Sequence, residues 1–556
     1  MISSVNAADH NITKNDNLGQ KIINSSNGDT INLKEGIYTN NVTNITINKN
    51  LTIKGENAKN TILDAEKLGK IFTINGRDNT IKLINITFIN GKNNDGGAIS
   101  VNQGNLILIN CTFNNNSADS WGGAIFMWQG NLIMTNTNFN DNSANYGGAI
   151  HTYSGVNKVI INNCKFTNNI GQRDGGALYN NHANITINNS KFINNQAQGN
   201  GGGAIHNNGG NNFNIINSDF INNTSKGSYG GGAIMNSHSN ALGLPNGDNF
   251  TIINCTFKNN KVNPLATYNI GGAITNWYGH NFTIINSVFI NNTAKTAGSA
   301  IYNEGHDFSI INSTFYNNKN SSVIYILGNN TKVQGCDIFN NAEGILIINS
   351  NNTIVNYNRI FNNTNNTGYD LYNFNSKTNA NYNWWGSNKP LVNGITLSNY
   401  FIMNVKNITS LNSNGSVTFN YTFKLNTGEN ADHKLLPYFI TNVYTNITIG
   451  SVYAFDARYD RTFDVILNTS EEVLYTFTTD NEVQSLAGKI TIPPEPTPPK
   501  PPKPPKPPSP TPDNNDNNKT SKNTTVNAIM KPTGMPINLI LLVLLSILGL
   551  LIRKKY

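Results

Sequence analysis

The stretch "SWGGAIFM", residues 120–127, decides the fold because its core does not stay unique. "YGGAIHT", "DGGALYN", "GGGAIHN", "YGGGAIM" and "IGGAITN" follow it along the chain. The second glycine of each copy falls at Gly97, Gly123, Gly148, Gly176, Gly203, Gly232 and Gly272, with Ser299 in its place at the end. Most steps are 25 to 29 residues, and one of 40 carries the insertion "SNALGLPNGDN". A fixed period of this length marks a repeat architecture, in which each unit buries its apolar face only against its neighbours. The motif has no GxGxxG spacing and no Lys-Ser/Thr after it, and it recurs once per unit, so a phosphate-cradling loop is excluded. Glycines in such a place suit a sharp bend or a close backbone approach.

A second landmark runs in phase. Phe88, Phe113, Phe139, Phe166, Phe192, Phe220, Phe257, Phe289 and Phe315 each precede an Asn-rich turn, with degraded copies near Ile338 and Phe361. Seven and five places before each Phe stand apolar pairs such as Leu106/Leu108, Val159/Ile161 and Phe250/Ile252, a spacing of two that marks a half-buried strand. Two places before the Phe the residue is small, as at Cys111, Thr137, Cys164, Ser190 and Cys255. The parity changes between these columns, so the chain bends at the intervening Asn. Two places after the Phe an Asn column (Asn90, Asn115, Asn168, Asn194, with Asp141 among them) suits left-handed turns and ladder hydrogen bonds between stacked copies. Short strands and tight turns closing in about 26 residues predict an all-β fold, a right-handed parallel β-helix of about 12–14 coils over residues 10–395. Eleven coils carry the Phe column, and two or three more precede Phe88.

The four cysteines, Cys111, Cys164, Cys255 and Cys336, share the small-residue column but never occupy adjacent coils. Even the closest pair is then about 10 Å apart, beyond disulfide reach. They read as buried small residues, and no CxxC or His cluster calls for zinc. At the first end, Leu18, Ile22 and Ile23 predict a short amphipathic helix covering the open coil; at the other, Trp384 and Trp385 are expected to close the core. Residues 396–492, with alternating runs such as "GSVTFNYTFKL" and "YDRTFDVIL", predict a small Ig-like β-sandwich.

The C-terminal 64 residues follow a different logic. "PPEPTPPKPPKPPKPPSPTP", residues 493–512, predicts a polyproline II spacer with Lys500, Lys503 and Lys506 along one side, suited to a solvated rod or to contact with anionic cell-wall polymer. "DNNDNNKTSKNTT" extends this linker to about residue 536. Residues 537–552 form an apolar run followed by Arg553, Lys554, Lys555 and Tyr556, the pattern of a single transmembrane anchor with a cytoplasmic basic tail and an extracellular body. Residues 1–9 lack an apolar region, but Val5-Asn6-Ala7 matches the end of a cleavable leader, which predicts an export signal upstream. A net charge of +8 spread over 556 residues, without a Lys/Arg run in the main body, argues against a nucleic-acid partner.

Catalysis by paired carboxylates finds little support. Asp95 and Asp174 share a column but lie three coils apart, about 14 Å, whereas a glycosidase pair needs at most about 9.5 Å. His151 and His206 belong to the column Ser100, Phe126, His151, Tyr179, His206, Met235, Thr275 and Tyr302, which points away from the preceding core residue and is expected to be exposed. Binding has more to use. Trp121, Phe126, Trp128, Tyr146 and Tyr153 cluster on neighbouring coils, and Trp277 and Tyr278 lie further along; such rings stack on sugars or on a protein surface. Sequons such as Asn85-Ile-Thr and Asn110-Cys-Thr allow N-glycosylation at some surface position.

"GDTINLKEGIYTNN", "LTIKGENAKNTILDAE", the GGAI and NCTF coils, "NYNWWGSNKP" and the terminal "PTGMPINLILLVLLSILGLLIRKKY" resemble the adhesin-like surface proteins of methanogenic archaea. Their pectin-lyase-like β-helices carry repeats similar to those of chlamydial polymorphic outer membrane proteins. The resemblance implies a cell-surface role binding glycans or proteins of other cells, with no cofactor and no catalytic residue carried over. The alternative is a surface polysaccharide lyase or glycoside hydrolase on the same fold.

Overall fold

The computed structural model describes residues 7–489, apart from 238–246, 264, 266, 267, 366, 410–415 and 467–470. The leader remnant (in all but residues 7–9), most of the 40-residue-step insertion, the Pro-rich linker, the apolar run 537–552 and the basic tail therefore lie outside the described residues. Among the described residues no helix is long and apolar enough to cross a membrane.

The repeat folds as a parallel β-solenoid. Each coil contributes a strand after GGAI (Ile125–Thr135, Leu178–Asn181, Ile205–Asn208), a Leu/Ile strand (Asn105–Ile109, Asn184–Asn188) and a Phe strand (Thr112–Asn114, Asn138–Asn140, Lys165–Thr167). The first two kinds belong to one 27-stranded sheet, because in two coils they run on unbroken as Ile125–Thr135 and Ile150–Asn162. The Phe strands form a 13-stranded sheet, one per coil. Its register runs Tyr38, Leu63, Phe88, Phe113, so two coils precede the first Phe. A further 7-stranded sheet of short strands, from Lys92–Asp95 to Lys261–Val262, stands between the Phe turn and the GGAI bend in the middle coils.

Identical residues in register dictate the interior. Phe rings from Phe88 to Phe315 stack face to face with centroids 4.7 to 4.9 Å apart, the spacing of the strands themselves. The bends form where Asn takes the left-handed conformation: Asn110 has φ 52° and Asn115 φ 54°, and their copies in most other coils match. This accounts for the change of parity between columns. The Asn115 column is also a ladder, with Asn115 Nδ2 donating to Asn90 Oδ1 at 2.7 Å.

Two interior ladders go beyond the columns that periodicity marks. One place past the left-handed Asn, the side chains of Asn116, Asn142, Asn169, Asn195, Asn223, Asn260, Asn292, Asn318, Asn341 and Asn363 are fully buried. Each amide donates to the next acceptor oxygen and to a Phe-strand carbonyl of the preceding coil; each Oδ1 after the first accepts from the preceding amide and backbone N–H, and that of Asn116 accepts from the Gly91 backbone N–H. Asp370 ends the series, accepting from the Asn363 backbone and amide at 2.9 and 3.0 Å. On the GGAI strands, Asn180, Asn207, Asn236, Asn276 and Asn303 form the second. These ladders satisfy buried polar groups that would otherwise be costly.

The four cysteines are buried and free, and burial pushes each thiol up to about 12. At the first end the helix Leu18–Asn24, capped by Asn17, buries Leu18 and Ile22. Ile23 does not share that role: it is 65% exposed, since the next residue on a helix turns about 100° away from its neighbour. The two tryptophans also separate. Trp385 joins the coil core, whereas Trp384 points the other way into a second cluster with Phe401, Phe423 and Phe439. That cluster draws its residues from a three-stranded and a four-stranded antiparallel sheet built from Phe401–Asn407 onward. Trp384 Nε1 donates to Asp480 Oδ2 at 2.7 Å, and Arg359 on the last Phe strand bridges Asp480 and Asp337. So Trp385 packs in the coil core, which Val392, Ile395 and Leu397 continue, while Trp384 joins the coil to the antiparallel sheets.

Candidate binding surface

The GGAI bend places aromatic rings on one side of the coil. Gly122 has φ 62°, and a Cβ on Gly123 would sit 2.0 Å from the Gly148 carbonyl oxygen of the next coil. The chain turns tightly enough to bring Trp121, before the bend, over Phe126, after it, with centroids 5.4 Å apart. In the next coils Tyr146 stands in register with Trp121, and His151 with Phe126.

The column expected to be exposed is covered. Phe126 and His151 are each only 3% accessible, and Ser100, His206, Met235, Thr275 and Tyr302 are buried as well. The residues do point out of the coil, but Trp121, Tyr146 and their short strands fold over them, making a second small core outside the first. Phe126 therefore supports neighbouring rings and offers no face to a ligand. His151 lies among Phe126, Trp121, Tyr146, Tyr153 and Tyr179, with centroids 5.0 to 6.4 Å away. Burial pushes its imidazole down to about 3, with the Tyr146 backbone pulling the other way, so the ring is neutral at pH 7. Neither ring nitrogen reaches a partner in full hydrogen-bond geometry. His151 and Tyr179 are the members of this cluster that composition alone did not single out for binding.

Trp128 and Tyr153, two places further on, remain accessible. Their rings stack at 4.3 Å with an 11° tilt, and Trp128 is 40% exposed. Phe126 supports Trp128 edge-on at 6.1 Å, and Trp121 lies 5.9 Å from Tyr153. Tyr146, half-buried, carries the Arg173 guanidinium 5.2 Å above its ring. Trp277 belongs to the same outward column, but Asn181, Asn208 and Ser237 separate it from Tyr153. It forms its own group with Tyr229, Tyr302 and the 46% exposed Tyr278. The seven aromatic candidates thus divide into a supported pair with its scaffold and a second patch.

Asp95, Trp121, Tyr146 and Asp174 share one column of the short-strand sheet, so the two acids stand three coils apart. Among the described residues no three His, Cys, Asp or Glu side chains are grouped to hold a metal ion.

Residues 110–127, 136–153, 163–181 and 286–304 match the Chlamydia polymorphic membrane protein repeat, so the chain carries repeats of that kind. Each match runs from the left-handed Asn before the Phe strand to the strand after the GGAI bend. No curated protein matches the chain. A PL6 alginate lyase solved in complex with a trisaccharide is similar in structure at 15% identity, covering 77% of this chain and 93% of its own, with a TM-score of 0.39. ORF18 of Geobacillus virus E2 is similar at 13% identity, covering 83% of this chain and 69% of its own, with a TM-score of 0.18. At these TM-scores neither likeness carries a functional argument.

Proposed function

We propose that the protein is a cell-surface, adhesin-like β-helix that binds glycans or surface partners without turning them over. The observation that carries this reading is the Trp128–Tyr153 stack, an accessible aromatic pair held by a buried aromatic scaffold on a stiff rod. A contiguous accessible aromatic patch is the usual mark of an interaction site. The polymorphic membrane protein repeats support a surface location. In this reading residues 10–395 are the display rod, 396–492 a sandwich-like stalk, 493–536 a spacer through a wall polymer, and 537–552 a single-pass anchor with a cytoplasmic tail.

The test presents the full chain, solubilised in detergent, with a panel of plant and microbial polysaccharides. Retention without new reducing or unsaturated ends is the expected result. Turnover that survives purification and vanishes on substitution of one named acid would overturn it in favour of a surface lyase or hydrolase.

A further inference from the structure

Next to the exposed ring pair the solenoid has a notch. After Trp128 and Tyr153 the pairing of the two unbroken strands shifts register around Gln129-Gly130 and Ser154-Gly155. A groove of about 430 Å³ opens there, lined by Arg77, Asp78, Gln103, Gln129, Asn131 and Asn157 over four successive coils. Its floor is backbone. Gly104 and Gly130 have φ of 125° and 108°, and a Cβ on Gly130 would lie 1.8 Å from the Gly104 carbonyl oxygen. No side chain can fill the notch from below. At about 4.8 Å per coil the groove spans about 14 Å along the rod.

We propose that this groove, together with the Trp128–Tyr153 faces, is a binding subsite for a neutral oligosaccharide lying along the rod axis. The inference rests on the glycan-binding reading above and names its site and ligand class. Each sugar hydroxyl both donates and accepts, and a carboxamide offers the matching donor and acceptor pair. Asn131 Nδ2 is committed to Asn105 Oδ1 at 2.7 Å, but among the described residues no protein hydrogen bond engages the amides of Gln103, Gln129 or Asn157. Gln103, Gln129 and Asn157 lie on three successive coils, with Asn157 beyond a shift in register that pairs Gln129 with Gly155, so the three amides are offered along the groove without sharing one column. The stacked rings cover one face of each other, and the accessible part of the 40% exposed Trp128 suits the C–H face of a pyranose; convergent polar groups beside an apolar surface are the usual make-up of a small-ligand site. Among the described residues that line the groove, Arg77 and Asp78 are the charged ones, one of each sign, so the lining favours neither acidic nor basic sugars. A protein partner is disfavoured by the polarity of the lining, which lacks an apolar anchor pocket.

The test is calorimetric titration of the full chain in detergent with cellotetraose, mannotetraose, chitotetraose and tetragalacturonate. At least one neutral tetraose is expected to bind. Trp128→Ala should weaken it at least tenfold, Gln103→Ala with Gln129→Ala several-fold, and Trp128→Phe should restore most of the loss. Lys226→Ala, at an exposed position just past the strand Thr224–Ser225, should change nothing. Melting curves of each variant establish that the fold is intact; Trp128 is exposed enough that its truncation leaves the coil core untouched. Tetraose binding unchanged by Trp128→Ala but abolished by Trp277→Ala would overturn this subsite and leave the glycan-binding reading standing. Binding of tetragalacturonate alone, lost with Arg77→Ala, would overturn the neutral ligand class. Failure to bind any tetraose while the polysaccharide panel still retains the full chain overturns the subsite only; failure of both assays overturns the glycan-binding reading too.

Discussion

Replacing Asn195 by alanine tests whether the buried amide ladder holds the coils together. Asn195 is fully buried. Its Oδ1 accepts from the Asn169 backbone N–H at 3.0 Å and the Asn169 amide at 2.9 Å. Its own amide donates to the Phe166 carbonyl and to Asn223 Oδ1, both at 3.0 Å. Asn195→Ala strands two buried donors on Asn169 and leaves two oxygens each short of one donor. A buried donor left without an acceptor costs about 1–3 kcal/mol, so the variant should lose about 4 kcal/mol. The neighbour is the control. Asn194 is exposed, has φ 56°, and donates to Asn168 at 3.3 Å. Asn194→Ala should lose only about 1–2 kcal/mol, mostly from the left-handed backbone, and Asn194→Gly less. Urea unfolding followed by circular dichroism reads the difference. Because coils interact chiefly with their neighbours, native-state hydrogen exchange should also show opening centred on the coils of Asn169 and Asn223. If Asn195→Ala costs no more than Asn194→Ala, the ladder does not carry the stability assigned to it.

Three further outcomes are expected. Gly148→Ala would set a Cβ 2.1 Å from the Gly176 carbonyl oxygen and should lose well over 3 kcal/mol or fail to fold, whereas Gly428→Ala, with φ 85° and open space around it, should lose only about 1–2 kcal/mol; both are read by thermal melting. Asp370, buried at the ladder's end, has its carboxyl raised from 3.8 to about 6 by burial, with the hydrogen bonds from Asn363 opposing. Between about pH 4 and 6 the folded chain then keeps a proton that the unfolded chain releases, so this group's contribution to stability falls as pH rises through that window. Asp370→Asn keeps the acceptor oxygen without the charge; it should gain up to about 3 kcal/mol over the natural chain above pH 6 and little below pH 4, as measured by urea midpoints against pH. Finally, a thiol reagent at pH 8 should label none of the four cysteines in the folded chain and all four in urea, since each is buried with its thiol at about 12; labelling of the folded chain would contradict their place in the coil interior.

The sequence by itself determined the coil: its period, its Phe stack, its left-handed Asn corners and the separation of the cysteines. All of these come from residues repeating at fixed intervals, because stacking puts each residue against its own copy and the pattern of one coil becomes the contact map of the next. The interior Asn columns are not legible in the same way. Asn reads as a turn residue, and only a closed ladder, with every donor and acceptor matched from the coils on either side, makes burying it favourable. The face of the binding surface was decided elsewhere. Whether Phe126 and His151 meet water depends on the short strands of Trp121 and Tyr146 folding across them, and the separation of Trp384 from Trp385 depends on sheets that come later in the chain. The first set joins two columns of the same repeat across the GGAI bend, and the second joins the coil to a segment outside the repeat, so the period alone fixes neither. Only the tertiary structure showed that Trp128 and Tyr153 stay open beside a groove while their neighbours close into a core.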